Sequence, residues 1–154
     1  GYPGIGARAA APELADRFWY QHFHRTQLAE RLVDGRPDAV RAYLGHLLGA
    51  WSPSAALASG ERFDDVVRAY ARPGAFAASI AWYRDNVGYA GGMPSSVPTT
   101  MLWPREDPLF PIAWADALPE WFADVDLQEV PGGHVVPLEA PEAMADAILR
   151  RLGR

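Results

Sequence analysis

The sequence contains no cysteine and no lysine, and each absence excludes a class of chemistry. Without Cys there are no disulfide bonds, no thiolate zinc sites and no cysteine nucleophile. All 14 basic residues are Arg, so a phosphate-binding loop with its Lys and Schiff-base catalysis are excluded as well. Any chemistry of this chain therefore has to come from other side chains.

Long apolar runs and blocks of positive charge are also absent. No stretch approaches the roughly 20 apolar residues of a membrane helix, and 19 acidic against 14 basic residues give a net charge of −5. Both features argue against a membrane and against nucleic acid as partners. Residues 1–6 lack the basic and apolar segments of a signal peptide. The composition predicts a soluble, cytoplasmic globular protein, and its Arg-only, Ala-rich usage indicates a bacterial source.

The chain is long enough to bury a real core. Its 154 residues, 49% hydrophobic and 12% aromatic, suit one domain or pieces of two. It opens on Gly and Pro instead of Met, which predicts a fragment. Residues 13–86 carry a helical pattern almost throughout, and Leu28, Leu32 and Val33 form one predicted apolar stripe.

The pattern changes after a linker rich in Gly, Ser and Pro at residues 88–98. Strand and helix signals then alternate, which predicts parallel strands joined by a right-handed crossover. Because two strands do not form a stable sheet alone, we expect them to join strands that this chain does not supply. The predicted elements are a strand at 97–103, a helix at 112–121, a strand at 126–130 and a helix from Pro141 with Met144, Ile148 and Leu152 facing inward.

Two ionisable residues follow directly after the predicted strands. Asp107 comes just beyond the first strand and His134 just beyond the second. Because parallel neighbouring strands end at the same edge of a sheet, an Asp carboxylate there could orient a His as general base. Spacing alone leaves a second interpretation open, in which Asp107 forms a turn and His134 is an ordinary loop residue.

Two segments carry a resemblance to a known fold. The run Pro98-Thr-Thr-Met-Leu-Trp-Pro-Arg-Glu-Asp-Pro and the run Gly132-Gly-His-Val-Val-Pro-Leu-Glu-Ala-Pro-Glu resemble the C-terminal end of the α/β-hydrolase fold. The resemblance implies the C-terminal half of that α/β fold with an all-helical cap domain, and it makes Asp107 and His134 the acid and the base. It divides the chain into a lead-in from the core sheet at 1–16, a helical cap at 17–92 and the last two strands and helices of the core at 93–154.

Two segments of the helical part resemble the cap of soluble epoxide hydrolases. They are Phe18-Trp-Tyr-Gln21 and Ala81-Trp-Tyr-Arg84. The resemblance implies that Tyr20 and Tyr83 are cap phenols that hydrogen-bond an epoxide oxygen. Haloacetate dehalogenases look similar but have His-Trp where this chain has Tyr20-Gln21. From the helical pattern alone, each Tyr could instead be an aromatic residue packed between cap and core.

The activity implied by the resemblance is hydrolysis of an epoxide to a vicinal diol through a covalent ester on an Asp nucleophile. The nucleophile elbow, Gly-x-Ser-x-Gly or Gly-x-Asp-x-Gly, does not occur in this chain. We therefore expect the chain alone to be inactive, with the N-terminal half of the fold as its partner on a separate or clipped chain. The other partners are a small apolar epoxide and water, and no cofactor or metal is implied. Residues expected to bind substrate are Trp19, Gln21, Phe23, Trp82 and Val135.

Other interpretations stay open. A haloacid or haloalkane dehalogenase or an esterase could use the same scaffold, and an inactive binding fragment would not be an enzyme. His22 and His24 are two residues apart, which is a poor spacing for a helical metal pair. We expect both to be solvated or packing residues. His46 is expected to be structural, the glycines at 88–92 not to bind phosphate, and the acidic pair at 64–65 to lie on a solvated helix face.

Overall fold

The computed structural model of the chain describes residues 5–9, 11–53, 56–87 and 92–153. The chain opening at 1–4 and the glycines at 88–91 of the predicted linker lie outside the described residues. The described residues fall into two compact units. The sheet unit contains residues 5–6, 51–53 and 92–153, and the helical unit contains residues 7–9, 11–50 and 56–87. The helical unit thus begins earlier than the predicted cap at 17–92, and it leaves out residues 51–53.

Up to residue 87, the described residues form six α-helices and two short 3-10 turns. The turns are Pro12–Leu14 and Ala56–Ala58, and the helices are α1 (Ile5–Ala9), α2 (Trp19–His24), α3 (Gln27–Val33), α4 (Pro37–Trp51), α5 (Gly60–Tyr70) and α6 (Ala75–Asp85).

The helical unit has its own apolar core, in which α3 contributes a small residue. Ala29 is completely buried and Val33 nearly so, whereas Leu28 and Leu32 are 54% and 46% exposed. The predicted stripe of Leu28, Leu32 and Val33 is therefore wrong in two of its three members. A helix of two turns buries only one face, and the face with Ala29 allows the closest approach of its neighbours. The buried residues of this core are Ala29, Val33, Val40, Leu44, Phe63, Val67, Phe76 and Ile80.

A side chain from the end of α3 caps the start of α6. The carboxylate of Asp34 accepts the backbone N–H groups of Gly74 and Ala77 over 2.8 and 3.0 Å. These are N–H groups that an α-helix leaves without a partner at its first turn. The two hydrogen bonds stabilise the ionised carboxylate, so they hold the pKa of Asp34 below its usual value. Asp34 thereby fixes the start of the helix that carries Tyr83.

The sheet unit is built on two parallel strands, β1 (Thr99–Pro104) and β2 (Val125–Val130), which pair from Thr99 with Val125 to Pro104 with Val130. The predicted parallel pairing is confirmed, and each strand lies within two residues of its predicted position. A core of Ile5, Trp103, Ala115 and Leu118 packs beside the strands. The remaining elements are a 3-10 helix at Ile112–Ala117 and the helices α7 (Leu118–Trp121), α8 (Val136–Glu139) and α9 (Pro141–Arg151).

The predicted helix at 112–121 is not continuous. Residues Ile112–Ala117 form a 3-10 helix, and α7 begins only at Leu118. Pro119 explains the break, because its nitrogen has no hydrogen to donate and its ring would collide with the carbonyl oxygen of Ala115 in a continuous α-helix. Pro119 instead occupies the first turn of α7, where an N–H group has no partner in any case.

The predicted inward face of α9 is also wrong in part. Ala147 is buried, whereas Ile148 is 50% and Leu152 is 64% exposed. Met144 is half-buried. Leu152 follows the last residue of the helix, and a sheet of only two strands covers a narrow band of the helix surface. Among the described residues, no helix combines the length and the apolar character that a membrane span requires.

Candidate active site

Asp107 follows β1 in a turn that its own side chain holds in place. Oδ1 accepts the backbone N–H groups of Leu109 and Phe110 over 2.7 and 3.1 Å. Such a turn is typical of Asp, whose short carboxylate reaches the backbone two residues later. The second oxygen, Oδ2, lies 3.0 Å from Nδ1 of His134. The Asp107 side chain is only 5% exposed, so its direction is fixed by these contacts and by packing.

His134 lies in the loop after β2, and backbone hydrogen bonds hold this loop against the loop after β1. The N–H of Gly132 donates to the carboxylate of Glu106 over 2.6 Å, and the N–H of Glu106 donates to the carbonyl oxygen of Gly132 over 3.1 Å. The N–H of Arg105 continues the strand pairing to the carbonyl oxygen of Val130. The parallel register of the strands therefore brings Asp107 and His134 together, as their positions after two adjacent strands imply.

The arrangement of this pair fits a general base. A buried carboxylate that accepts a hydrogen bond from Nδ1–H leaves the lone pair of Nε2 to take a proton. His134 is 26% exposed on its side chain, so the imidazole is not closed off by its own unit. A cavity of about 430 Å³ lies beside the pair, within the size range of small-molecule sites. Its lining consists mainly of apolar side chains, with Leu102, Phe110, Phe122 and Val136 among them.

The two tyrosines predicted from the cap resemblance are neighbours in the helical unit. Tyr20 on α2 is buried and Tyr83 on α6 is half-buried. Their rings meet edge to face, with centroids 6.1 Å apart and an interplanar angle of 87°. Burial, and then the neighbouring phenol of Tyr20, raise the pKa of Tyr83 above its ordinary value. A raised pKa keeps the phenol protonated at neutral pH, so Tyr83 remains a hydrogen-bond donor.

The predicted substrate-binding residues have different surroundings. In the helical unit the ring of Trp82 stacks on that of Tyr83, with centroids 3.9 Å apart, and Trp82 is 55% exposed. Trp19 is 36% exposed, and its ring centroid lies 5.9 Å from that of Phe23. Gln21 is half-buried. Val135, in the sheet unit, is half-buried and follows His134 directly. The structure thus groups Trp82 with Tyr83 and Trp19 with Phe23, while the binding roles of all five residues stay predictions.

His24, which the sequence predicts to be a solvated or packing residue, is a packing residue of the helical unit. Its Nε2 lies 2.5 Å from the hydroxyl oxygen of Tyr43, and its ring centroid lies 4.5 Å from the ring centroid of Tyr83. The residue is only 4% exposed, so His24 is buried and hydrogen-bonded. Helical spacing could have indicated this, because His24 lies one turn after Tyr20 and therefore on the same face of α2.

The burial of His24 predicts a pH-dependent stability. Burial lowers the pKa of His24 from 6.5 to about 4. The unfolded chain therefore binds a proton between these two pH values that the folded chain does not bind. The stabilisation is complete above pH 6.5 and is lost as the pH falls towards 4. From the size of the pKa shift, we expect the free energy of unfolding to fall by about 3 kcal/mol over this range.

Urea unfolding of wild type and of His24→Phe at a series of pH values measures this contribution. All other titrating groups are common to the two proteins, so the difference in their pH dependence belongs to His24. We expect the stability of the variant to change less with pH below 6.5. Parallel curves for the two proteins would show that His24 titrates in the folded chain as it does in the unfolded one.

The other polar candidates remain outside the site. His22 and His46 are exposed, and the ring of His46 packs against Trp19 at 5.7 Å. Asp64 and Asp65 form exposed ion pairs with Arg41 and Arg68. Within the described part of the chain, no group of three His, Asp or Glu side chains could hold a metal ion. The glycines at 88–91 lie outside the described residues.

Comparisons with known proteins identify the fold. No protein-family model matches the chain, and no curated protein matches it either. Solved structures do match. Cfl2 of Burkholderia cenocepacia has a TM-score of 0.71 at 24% identity, over 93% of this chain and 50% of that protein. ALR0039 of Nostoc sp. PCC 7120, described as an α/β hydrolase, has a TM-score of 0.68 at 23% identity, over 95% of this chain and 53% of that protein.

An epoxide hydrolase from Bacillus megaterium matches as well. The TM-score is 0.64 at 12% identity, over 99% of this chain and 57% of that protein. The chain thus spans about half the length of the structures that it matches. These identities support a statement about fold alone. The chain has the fold of the C-terminal half of an α/β hydrolase, with its helical cap.

Proposed function

We propose that this chain is the cap and the acid–histidine half of an epoxide hydrolase. The observation that carries the proposal is the edge-to-face pair of Tyr20 and Tyr83 in the helical unit. Two adjacent phenols suit a reaction that develops negative charge on one oxygen, because both can donate to it. The Bacillus megaterium epoxide hydrolase among the structural neighbours supports the same choice.

In the proposed first step, a carboxylate that this chain does not contain attacks an epoxide carbon. A new carbon–oxygen ester bond forms, and the ring carbon–oxygen bond breaks. One of the phenols, Tyr20 or Tyr83, donates its proton to the oxygen that leaves the ring, and the other donates a hydrogen bond. The product of this step is a covalent ester that carries a neighbouring hydroxyl group.

In the second step, His134 acts as the base through Nε2. It takes a proton from water, and the resulting hydroxide attacks the carbonyl carbon of the ester. The ester bond breaks, which releases the diol and restores the carboxylate. Asp107 holds Nδ1–H and balances the positive charge of the imidazolium that forms for a moment. The proton returns to the tyrosinate formed in the first step.

The test requires the first half of the fold, supplied as a preceding segment or as a second chain. The completed protein is offered styrene oxide, chloroacetate and a nitrophenyl ester in parallel. We expect the diol from styrene oxide and no turnover of the other two. A single turnover in water enriched in heavy oxygen should place the heavy atom in the enzyme carboxylate and not in the first diol released.

Other outcomes of this test contradict the proposal in distinct ways. Halide release from chloroacetate with an inert epoxide would identify a dehalogenase. Turnover of the ester alone would identify an esterase. Binding of these compounds without turnover in the completed protein would favour a fragment that binds and does not catalyse. Heavy oxygen in the first diol would exclude the ester intermediate, because water would then have attacked the epoxide itself.

A further inference from the structure

Three hydrogen bonds form a closed ring around the backbone of His134. The N–H of His134 donates to the carbonyl oxygen of Trp51 over 2.9 Å. The N–H of Val135 donates to Oε2 of Glu139 over 3.0 Å. The other oxygen of this carboxylate, Oε1, accepts the hydroxyl of Ser52 over 2.7 Å. Because Ser52 follows Trp51 in the chain, the ring fixes both peptide groups that flank the Cα of His134.

The ring is shielded from water, so its hydrogen bonds are costly to break. Ser52 is 4% exposed, Gly133 is buried and Glu139 is half-buried. Hydrogen bonds to an ionised carboxylate are stronger than those between neutral groups. A buried donor or acceptor that loses its partner destabilises the structure by more than the hydrogen bond contributed. The loop therefore has one strongly preferred conformation.

The two glycines before His134 are required by this approach of segment 51–53. A Cβ atom on Gly133 would lie 2.5 Å from the carbonyl oxygen of Trp51 and 2.7 Å from Cδ of Pro53. Gly132 has a φ of 96°, and a Cβ there would lie 2.9 Å from Cβ of Glu139. Both contacts are too short for any other residue. The sequence of the loop is thus matched to Trp51–Pro53 on one side and to Glu139 on the other.

Side-chain contacts also hold the imidazole ring of His134. The ring of Trp51 meets it edge to face, with centroids 5.2 Å apart and an angle of 69°. The ring centroid of Phe110 lies 5.3 Å from that of His134, and the carboxylate of Asp107 fixes Nδ1. Trp51 therefore holds His134 through its carbonyl oxygen and through its ring. Together these contacts fix the position of Nε2.

We propose that Glu139 is a positioning residue for His134. Its carboxylate accepts hydrogen bonds from Ser52 and from the N–H of Val135, the peptide group after His134. It thereby keeps Nδ1 of His134 within hydrogen-bond distance of Asp107. The inference rests on the proposed role of His134 as the base that hydrolyses the ester. Glu139 acts through His134 and does not itself contact the reacting atoms. The second step of the reaction therefore depends on Glu139, whereas formation of the ester does not.

Two substitutions of the same residue separate positioning from charge. Glu139→Ala removes both acceptors and opens the ring. Glu139→Gln removes the charge but retains the ring, because the introduced amide accepts the N–H of Val135 through its oxygen and donates to the hydroxyl of Ser52, which can rotate. We expect ester hydrolysis to slow about 100-fold in Glu139→Ala, the cost of a small misplacement of a catalytic group. Ester formation and kcat/KM stay near the wild-type values, KM falls together with kcat because the ester accumulates, and Glu139→Gln is close to wild type in both steps.

Nitrogen NMR of the His134 imidazole in the completed protein, recorded without substrate, provides a readout that needs no turnover. We expect the Nδ1–H proton to be protected and shifted downfield in wild type and in Glu139→Gln, and to be lost by exchange in Glu139→Ala. Ser52→Ala should weaken the signal in the same direction, and it decides the question if Glu139→Ala does not fold. The control is Glu142→Ala, an exposed acid in the first turn of α9.

The two readouts keep this inference distinct from the proposed function. An unchanged imidazole signal in folded Glu139→Ala overturns the positioning role, whatever the substrate is. Loss of the signal in both Glu139→Ala and Glu139→Gln would assign the effect to charge and would also overturn it. If the completed protein opens no epoxide while the signal responds as expected, the proposed function fails and the positioning of His134 by Glu139 stands.

Discussion

In the proposed mechanism, replacement of His134 by Gln in the completed protein is expected to stop the reaction at the ester. Attack of the carboxylate on the epoxide does not involve His134, so one equivalent of substrate should react at a nearly normal rate. Without a base to activate water, hydrolysis of the ester should slow by roughly 1,000-fold or more. Mass spectrometry of the intact protein after a brief exposure to styrene oxide should show the mass of enzyme plus one substrate.

Asp107→Asn should give the same trapped ester, formed at a nearly normal rate. The amide oxygen can still accept one backbone N–H, but an NH₂ group turned towards Nδ1 favours the wrong tautomer of the imidazole. The matched control is His22→Gln, which removes an exposed imidazole from α2. Full turnover in the His134 variant would exclude His134 as the base. Loss of the initial equivalent would show that the substitution disturbs the first step as well.

The pairing of Asp107 with His134 could be predicted because it depends on local patterns. A short apolar run ended by Pro104 and a second short run stopped by Pro131 predicted two strands, and a helical stretch between them predicted a parallel pair. In a parallel pair, side chains just past the strand ends meet at one edge. These rules left open a turn-forming Asp107 and an ordinary loop His134, and the resemblance to the α/β-hydrolase fold favoured the pair. The structure places the two side chains 3.0 Å apart.

The contacts that hold this pair could not be predicted in the same way. Ser52 and Glu139 are 87 residues apart in the chain, and no periodicity connects them. The close approach of the adjacent glycines at 132 and 133 to Trp51–Pro53 and Glu139 is also known only from the fold. Likewise, the helical pattern of α3 allowed either Leu28 with Leu32 or Ala29 with Val33 to face the core. The side that packs is decided by neighbouring helices, where the small Ala29 permits closer contact.

His24 shows the same limit for a polar residue. Its pairing with Tyr43 joins α2 to α4 across 19 residues. A His side chain is polar, and the rings that surround it in the fold, those of Tyr20, Tyr43 and Tyr83 among them, make its burial favourable. The flanking motifs indicated the two phenols, whereas His24 belongs to no such motif. Its position one turn after Tyr20 indicated a shared helix face, but its partner Tyr43 is known only from the fold.

Replacement of both cap tyrosines by Phe is expected to abolish ring opening while the fold persists. Each phenol should contribute about 3 kcal/mol to the stabilisation of the developing oxyanion, as single donors of an oxyanion hole do, so each single variant should lose about 100-fold in kcat. Both rings are retained in Tyr20→Phe and Tyr83→Phe, so the edge-to-face contact and the packing on Trp82 persist. No ester should accumulate in the double variant, in contrast to the His134 variant.

Tyr70→Phe is the matched control, because Tyr70 is half-buried at the end of α5 and packs against the same core. It should retain wild-type kinetics and stability. The pH profile offers a further check, since a raised pKa of Tyr83 keeps its phenol protonated well into the alkaline range. In Tyr20→Phe, where Tyr83 is the one phenol of the pair that remains, the rate of ring opening should therefore not decline with the titration of an ordinary tyrosine near pH 10. Unchanged kinetics in the double variant would remove both phenols from the mechanism.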